Sequence, residues 1–178
     1  MTRRRFVVLL RGVNVGGRNK LPMADLRAAL ESAGYEDVTT YIQSGNVALS
    51  APTCDGPAIS TVIQDGFGLT VPVVVRTADQ LRATIADNPF PEMVAEPKFL
   101  HVYFCQEPLG DNPLAEVDRE RFHPDRMIAG TAEVYVAYPN GVAGSKLTNA
   151  VLDRALHQVT TGRNWSTVLR LAEMAEQT

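Results

Sequence analysis

The chain has 178 residues, 45% of them hydrophobic and 21% charged, a composition that suits one or two compact domains and excludes a disordered tail or a fibre. Its 17 basic and 20 acidic side chains leave a formal net charge of -3, so bulk electrostatics does not drive it onto nucleic acid or an anionic membrane, and any such contact is local. No apolar run reaches the roughly 18 residues of a membrane span, and FVVLL at residues 6–10 is too short for a signal-peptide core, so a cytoplasmic chain with no membrane partner is expected.

FVVLL is a continuous apolar run between arginines and a glycine-rich stretch, as in a strand buried on both faces. Pro22, then Leu26, Ala29, Leu30 and Ala33, with Gly34 as a stop, predict an amphipathic helix of about three turns. Residues 38–43 and 46–50 are extended segments broken by Ser44-Gly45, a hairpin whose turn exposes Ser44 to Asn46. Ile59, Val62 and Ile63 place a helix over residues 57–66, and the β-branched run at 71–76 makes a further strand. Residues 1–76 therefore read βαββαβ, the split βαβ of a ferredoxin-like sandwich, with two helices on one face of a four-stranded antiparallel sheet.

Thr77 with Gln80 is a capping-box signal for a helix through about Ala86, which Asn88-Pro89-Phe90-Pro91 ends. Residues 77–97 are thus a helix and a proline-rich connector. Beyond it the pattern predicts a strand at 98–105, a short helix at 113–122, strands at 126–130 and 133–138, and helices at about 146–157 and 165–175. The order for 98–178 is βαββαα, with a helix in the place of a last strand. The fold class expected is α+β: two ferredoxin-like subdomains with antiparallel sheets and additional C-terminal helices. Each is small enough that a shared interface is expected.

Two cysteines, Cys54 and Cys105, lack CxxC spacing and do not cluster with His101, His123 or His157, so neither a structural zinc site nor a disulfide scaffold is expected. Cys105 ends an apolar run and reads as a small buried side chain. Charge is segregated along the chain. Arg3, Arg4, Arg5, Arg11, Arg18 and Lys20 precede the first acid, Asp25, whereas eight acids lie between residues 87 and 120. In Arg11-Gly12-Val13-Asn14-Val15-Gly16-Gly17-Arg18-Asn19-Lys20, three glycines let backbone N–H groups approach a ligand while three cations surround them. Arg18-Asn19 stands where a nucleotide phosphate loop has Lys-Ser/Thr, and no G-x-G-x-x-G occurs. A glycine-rich turn that only permits tight packing is the competing explanation. Near the C-terminus, Lys146 follows Ser145 and Arg163 precedes Asn164 at two expected helix starts. Cations there oppose the helix dipole by about 0.3–1 kcal/mol each, which a bound anion would reverse. Trp165 shares a helix face with Val168, Leu169 and Ala172 and reads as core.

Taken together, RGVNVGGRNK at 11–20, YIQSGNV at 41–47, DNPFP at 87–91, SKLTN at 145–149 and TGRNWSTVLRL at 161–171 resemble the domain of unknown function 1697 family, in order and spacing, over almost the whole chain. The resemblance implies a bacterial-type α+β protein built from ferredoxin-like halves, and it brings no activity, cofactor or catalytic residue with it. The family's motif positions correspond here to Arg11, Gly12, Asn14, Gly16, Gly17, Lys20, Gln43, Ser44, Gly45, Asn46, Ser145, Lys146, Arg163, Asn164 and Trp165.

That set holds no Asp, Glu, His or Cys, and only Lys20 or Lys146 could serve as an acid or base near neutral pH. Ser145 and Lys146 are adjacent, and the S-x-x-K pattern of serine-lysine acylases is absent. Such residues bind readily: arginines fork onto phosphate or carboxylate and asparagines both donate and accept. The expected function is binding of an anionic small ligand, such as a phosphate-bearing metabolite or nucleotide, by Arg11, Asn14, Gly16, Gly17, Lys20, Ser44, Asn46, Lys146, Arg163 and Asn164. Three alternatives stand beside it. Nucleic-acid binding ranks lower, because the aromatic motif of RNA-binding ferredoxin-like sheets is missing. A phosphoryl or acyl transferase would use the same basic residues, and a purely structural role would bury them in turns and caps. Cofactor, enzymatic activity and oligomeric state are not specified by the sequence.

Overall fold

Alternation along FVVLL sets the first layer. In the computed structural model, which describes residues 3–177, β1 (Arg4–Leu10) lies between β3 (Asn46–Ala51) and β4 (Val73–Thr77) and runs antiparallel to both. With β2 (Glu36–Tyr41) at the edge, the sheet order is β2-β3-β1-β4. Phe6, Val8 and Leu10 share one face and join Leu26 and Leu30 of α1 (Met23–Ser32) and Ile59 and Ile63 of α2 (Gly56–Phe67) in a single apolar cluster. Val7 and Leu9 point the other way and are equally buried, as a continuous rather than alternating apolar run requires. α2 is closed at both ends: Asp55 Oδ1 accepts from the Ala58 N–H at 2.8 Å, and Gly68 at φ 66 donates to Gln64 O.

The chain divides into two units. One runs to Leu81 and resumes at Leu171; the other is Arg82–Arg170. The divisions fall within α3 (Ala78–Ala86) and α5 (Trp165–Glu176). In the first unit, Arg5, which has the parity of Val7 and Leu9, donates from Nε to Met174 O at 3.1 Å, so the end of α5 lies on the sheet face opposite α1 and α2. α3 opens with the predicted capping box: Thr77 N–H donates to Gln80 Oε1 at 2.9 Å and Gln80 N–H to Thr77 Oγ1 at 3.2 Å.

The second unit repeats the plan. β5 (Leu100–Cys105), β6 (Arg126–Ala129), β7 (Glu133–Ala137) and β8 (Thr160–Asn164) form a sheet of order β6-β7-β5-β8 with every pair antiparallel. The register repeats too: Val7 faces Arg76 as Val102 faces Arg163. The architecture is the expected α+β fold of two split βαβ halves with C-terminal helices.

Three expected elements differ. A fourth strand, β8, stands where the sequence suggested a loop between helices. Its buried positions are Thr160, Thr161 and Arg163, whose polar groups are bonded in place, as when Asp153 Oδ1 accepts from both the N–H and the hydroxyl of Thr160 at 2.7 and 2.9 Å. Residues 113–122 are turns ending in a short 3₁₀ segment, Arg119–Phe122, rather than a helix; Leu114 and Phe122 reach the same apolar cluster from these turns, and tertiary burial overrides weak helix propensity. α4 (Asn149–Leu156) starts after Thr148 instead of at residue 146, because the Ser145 hydroxyl accepts from the Leu147 N–H at 2.9 Å and holds 145–147 in a turn. Among the described residues no helix is long and apolar enough to cross a membrane.

Candidate functional site

The seven N-terminal site residues lie in the first unit, on a loop and a turn that fold onto each other. The Leu10 N–H donates to Gly45 O at 2.8 Å and Asn14 Nδ2 to Gln43 O at 2.8 Å, which pins residues 11–20 to the β2–β3 turn. Asn14, at φ 55, also donates to Leu21 O at 2.9 Å and accepts from the Leu21 N–H at 2.8 Å. Beyond it the loop is a miniature hairpin. The Arg18 N–H donates to Val15 O at 3.0 Å across Gly16 and Gly17 at φ 56 and 75, the double positive φ of a tight primed turn. The loop thus joins Arg11, Asn14, Gly16, Gly17 and Lys20 to Ser44 and Asn46.

The expected exposure of Ser44 to Asn46 is corrected. Gly45 and Asn46 are buried, with Asn46 Nδ2 donating to Tyr41 O at 3.1 Å and to Ser44 Oγ at 2.9 Å. The side chains of Asn14 and Asn46 therefore fasten backbone. Facing outward are Gly16, Gly17, Arg18, Asn19 and Lys20, beside two exposed aliphatic tips, Val15 at 63% and Ile42 at 52%. Ile42 holds φ 50, a conformation that β-branched residues rarely adopt.

Lys146 belongs to a different place. With Ser145 it lines a cavity of about 280 Å³ in the second unit, together with Arg121, His123, Asp125, Asn140 and Gly141. A glycine strap over residues 140–146 forms one side, with Gly141 and Gly144 at φ 83 and 82. Its two ends are fixed: the Gly141 N–H donates to Tyr138 O at 2.9 Å, and the Tyr138 hydroxyl donates to Leu147 O at 2.9 Å. Burial, with Tyr103 alongside, raises the Tyr138 pKa well above its ordinary value, so this hydroxyl stays a donor. Asp125 Oδ2 accepts from the Ser145 hydroxyl of the strap at 2.5 Å. Among the described residues neither Arg121 nor Lys146 takes part in an ion pair; the Arg121 guanidinium lies 5.8 Å from the centre of the Phe122 ring.

Arg163 and Asn164 end β8. Arg163 faces the side of Val102, opposite the cluster that holds Tyr103 and Leu147, so the second sheet separates it from the Lys146 cavity. It is 7% exposed, with Nη1 donating to Thr161 Oγ1 and Gly162 O, both at 2.8 Å. Burial pushes its pKa down to about 10, which leaves it charged at neutral pH. Asn164 Oδ1 accepts from the Thr167 N–H at 2.9 Å and caps α5, and Trp165 is buried as expected.

Sequence reasoning missed Arg121, His123, Asp125, Asn140 and Gly141. The signal was present in Asn140-Gly141 and Gly144-Ser145-Lys146, the same union of glycines and a cation that singled out residues 11–20. Among the described residues no group of His, Cys, Asp and Glu side chains is gathered to hold a metal ion. Both cysteines are free thiols, and burial raises the Cys54 pKa to about 12.

A family model described as "Protein of unknown function (DUF1697)" matches residues 3–135. The chain belongs to the DUF1697 family. The stretch of this DUF1697 chain that matches takes in the N-terminal loop, the β2–β3 turn and the Arg121, His123 and Asp125 side of the cavity; the strap lies beyond it. Among solved structures, the chain is similar to the conserved bacterial protein SP0830 from Streptococcus pneumoniae, at 21% identity and a TM-score of 0.74 over 98% of this chain and 100% of that one. At that identity the likeness is one of fold. No curated protein matches the chain.

Proposed function

We propose that this DUF1697 protein binds a small phosphate-bearing ligand in the cavity lined by Arg121 and the 140–146 strap. The observation that carries the reading is the pair of cations, Arg121 and Lys146, on one polar cavity of about 280 Å³ and outside every ion pair among the described residues. The Gly141 N–H is taken by Tyr138 O, but at Gly144, also at positive φ and without a side chain, the strap backbone can approach an oxyanion. Asp125, tied to Ser145, offers an acceptor for a hydroxyl or amine and disfavours filling the whole cavity with negative charge. Of the sequence-derived site residues, this reading retains Lys146 and assigns Asn14, Asn46, Arg163 and Asn164 to turns, a strand and a cap.

Calorimetric titration with inorganic phosphate and ribose 5-phosphate tests it. Hydrogen bonds to charged groups contribute about 1.5–3 kcal/mol, so Lys146→Ala and Arg121→Ala should each weaken binding by roughly tenfold or more. If the intact protein binds neither compound, the proposal fails.

A further inference from the structure

A second cavity, of about 290 Å³, adjoins the first, and His123 and Asp125 line both. Its character is different: the exposed Ile128, over the buried Phe90 and Met127, supplies apolar surface beside Arg119, Glu120 and Arg126. The Arg126 guanidinium lies 4.7 Å from the centre of the Phe90 ring and donates from Nη2 to Glu92 Oε1 at 2.6 Å. A guanidinium over a buried phenyl ring presents a planar cationic face to the cavity.

We infer that the ligand is bipartite, a nucleoside monophosphate whose phosphate sits in the strap cavity and whose planar base enters the adjoining cavity against Arg126 and Ile128. This rests on the phosphate seat proposed above. The shared wall decides what can pass between the two spaces. Asp125 repels a second phosphate crossing it, whereas His123 and Asp125 together can donate to and accept from the hydroxyls of an uncharged sugar. Beyond the wall Arg126 is already paired with Glu92 and Glu120 adds a further negative charge, which disfavours a second anion, whereas a base can cover its faces there and leave its edge to polar partners.

The test is titration of the intact protein with ribose 5-phosphate, AMP and adenosine. AMP is expected to bind at least tenfold more tightly than ribose 5-phosphate. Ile128 is 41% exposed on the edge strand β6, so Ile128→Asp should fold and bring AMP down to the affinity of ribose 5-phosphate while leaving the latter unchanged. Arg126→Ala should act in the same direction. Equal affinities for AMP and ribose 5-phosphate in the intact protein would overturn the bipartite ligand and leave the phosphate seat standing. An AMP advantage that survives both substitutions would also overturn it, because the base would then lie elsewhere. Binding of none of the three would remove the phosphate seat as well.

Discussion

A methyl group at residue 45 would stand 2.6 Å from Val13 Cγ2 and 2.7 Å from Leu10 Cβ, on a backbone at φ 82. Gly45→Ala combines overpacking with a strained conformation, so a loss of about 1–3 kcal/mol is expected in chemical denaturation. At Gly16 and Gly17 the same methyl group meets nothing within 4 Å. The two kinds of glycine look alike in a sequence, which is why the motif at 11–20 was legible as special while the use made of it was not. His101 carries a pH dependence. Its ring meets that of Tyr138 edge-on at 5.2 Å and that of Tyr103 at 6.4 Å, its Nδ1 finds no partner among the described residues, and burial lowers its pKa from 6.5 to about 4. Between those values the unfolded chain binds the proton that the folded chain refuses. This contribution to stability is therefore complete above pH 6.5 and is lost as pH falls toward 4, by at most about 1.4 kcal/mol per pH unit. The denaturation midpoint of His101→Phe should fall less steeply over that window than that of the parent protein.

Helices with a cap and an apolar stripe were legible as elements. α2 announces itself through Ile59, Val62 and Ile63 and α3 through the Thr77–Gln80 pair, whose bonds are the ones the residue types imply. β8 was not legible, although it pairs along its length with β5, because its buried positions are two threonines and an arginine that carry no apolar alternation. The element view also separates capping from ligand binding at residue 164. Replacing Asn164 by Ala should cost about 1 kcal/mol of stability through the loss of the α5 cap and leave phosphate titration unchanged. A large loss of phosphate affinity with stability intact would return Asn164 to the site. In the candidate site as a whole, the cation was legible at Lys146, whereas its companions Arg121, His123 and Asp125 sit among the turns at 113–125 that the sequence pattern had assigned in part to a helix.

Over the whole molecule one plan is used twice with different polar content. Leu9 faces Asn46 where Phe104 faces Glu133, and Val7 faces Arg76 where Val102 faces Arg163, so each sheet sets a buried polar residue at the start of its third strand and an arginine near the end of its fourth. The loop after β1 carries Arg11, Arg18 and Lys20 and no acid, while the segment after β5 carries Glu107, Asp111, Glu116 and Asp118. The order of elements in the first half was legible. That its unit is discontinuous was not, since one apolar stripe runs the length of α5 and says nothing of which sheet each turn serves. The discontinuity bears on how the protein is made. Arg5 and the first sheet leave the ribosome early, but the Met174 carbonyl that receives Arg5, and the buried Leu171 and Ala175 beside it, follow only after the whole of Arg82–Arg170 has been synthesised. The first unit to be translated is thus the last to be finished, and until then one of its faces must remain without its helix.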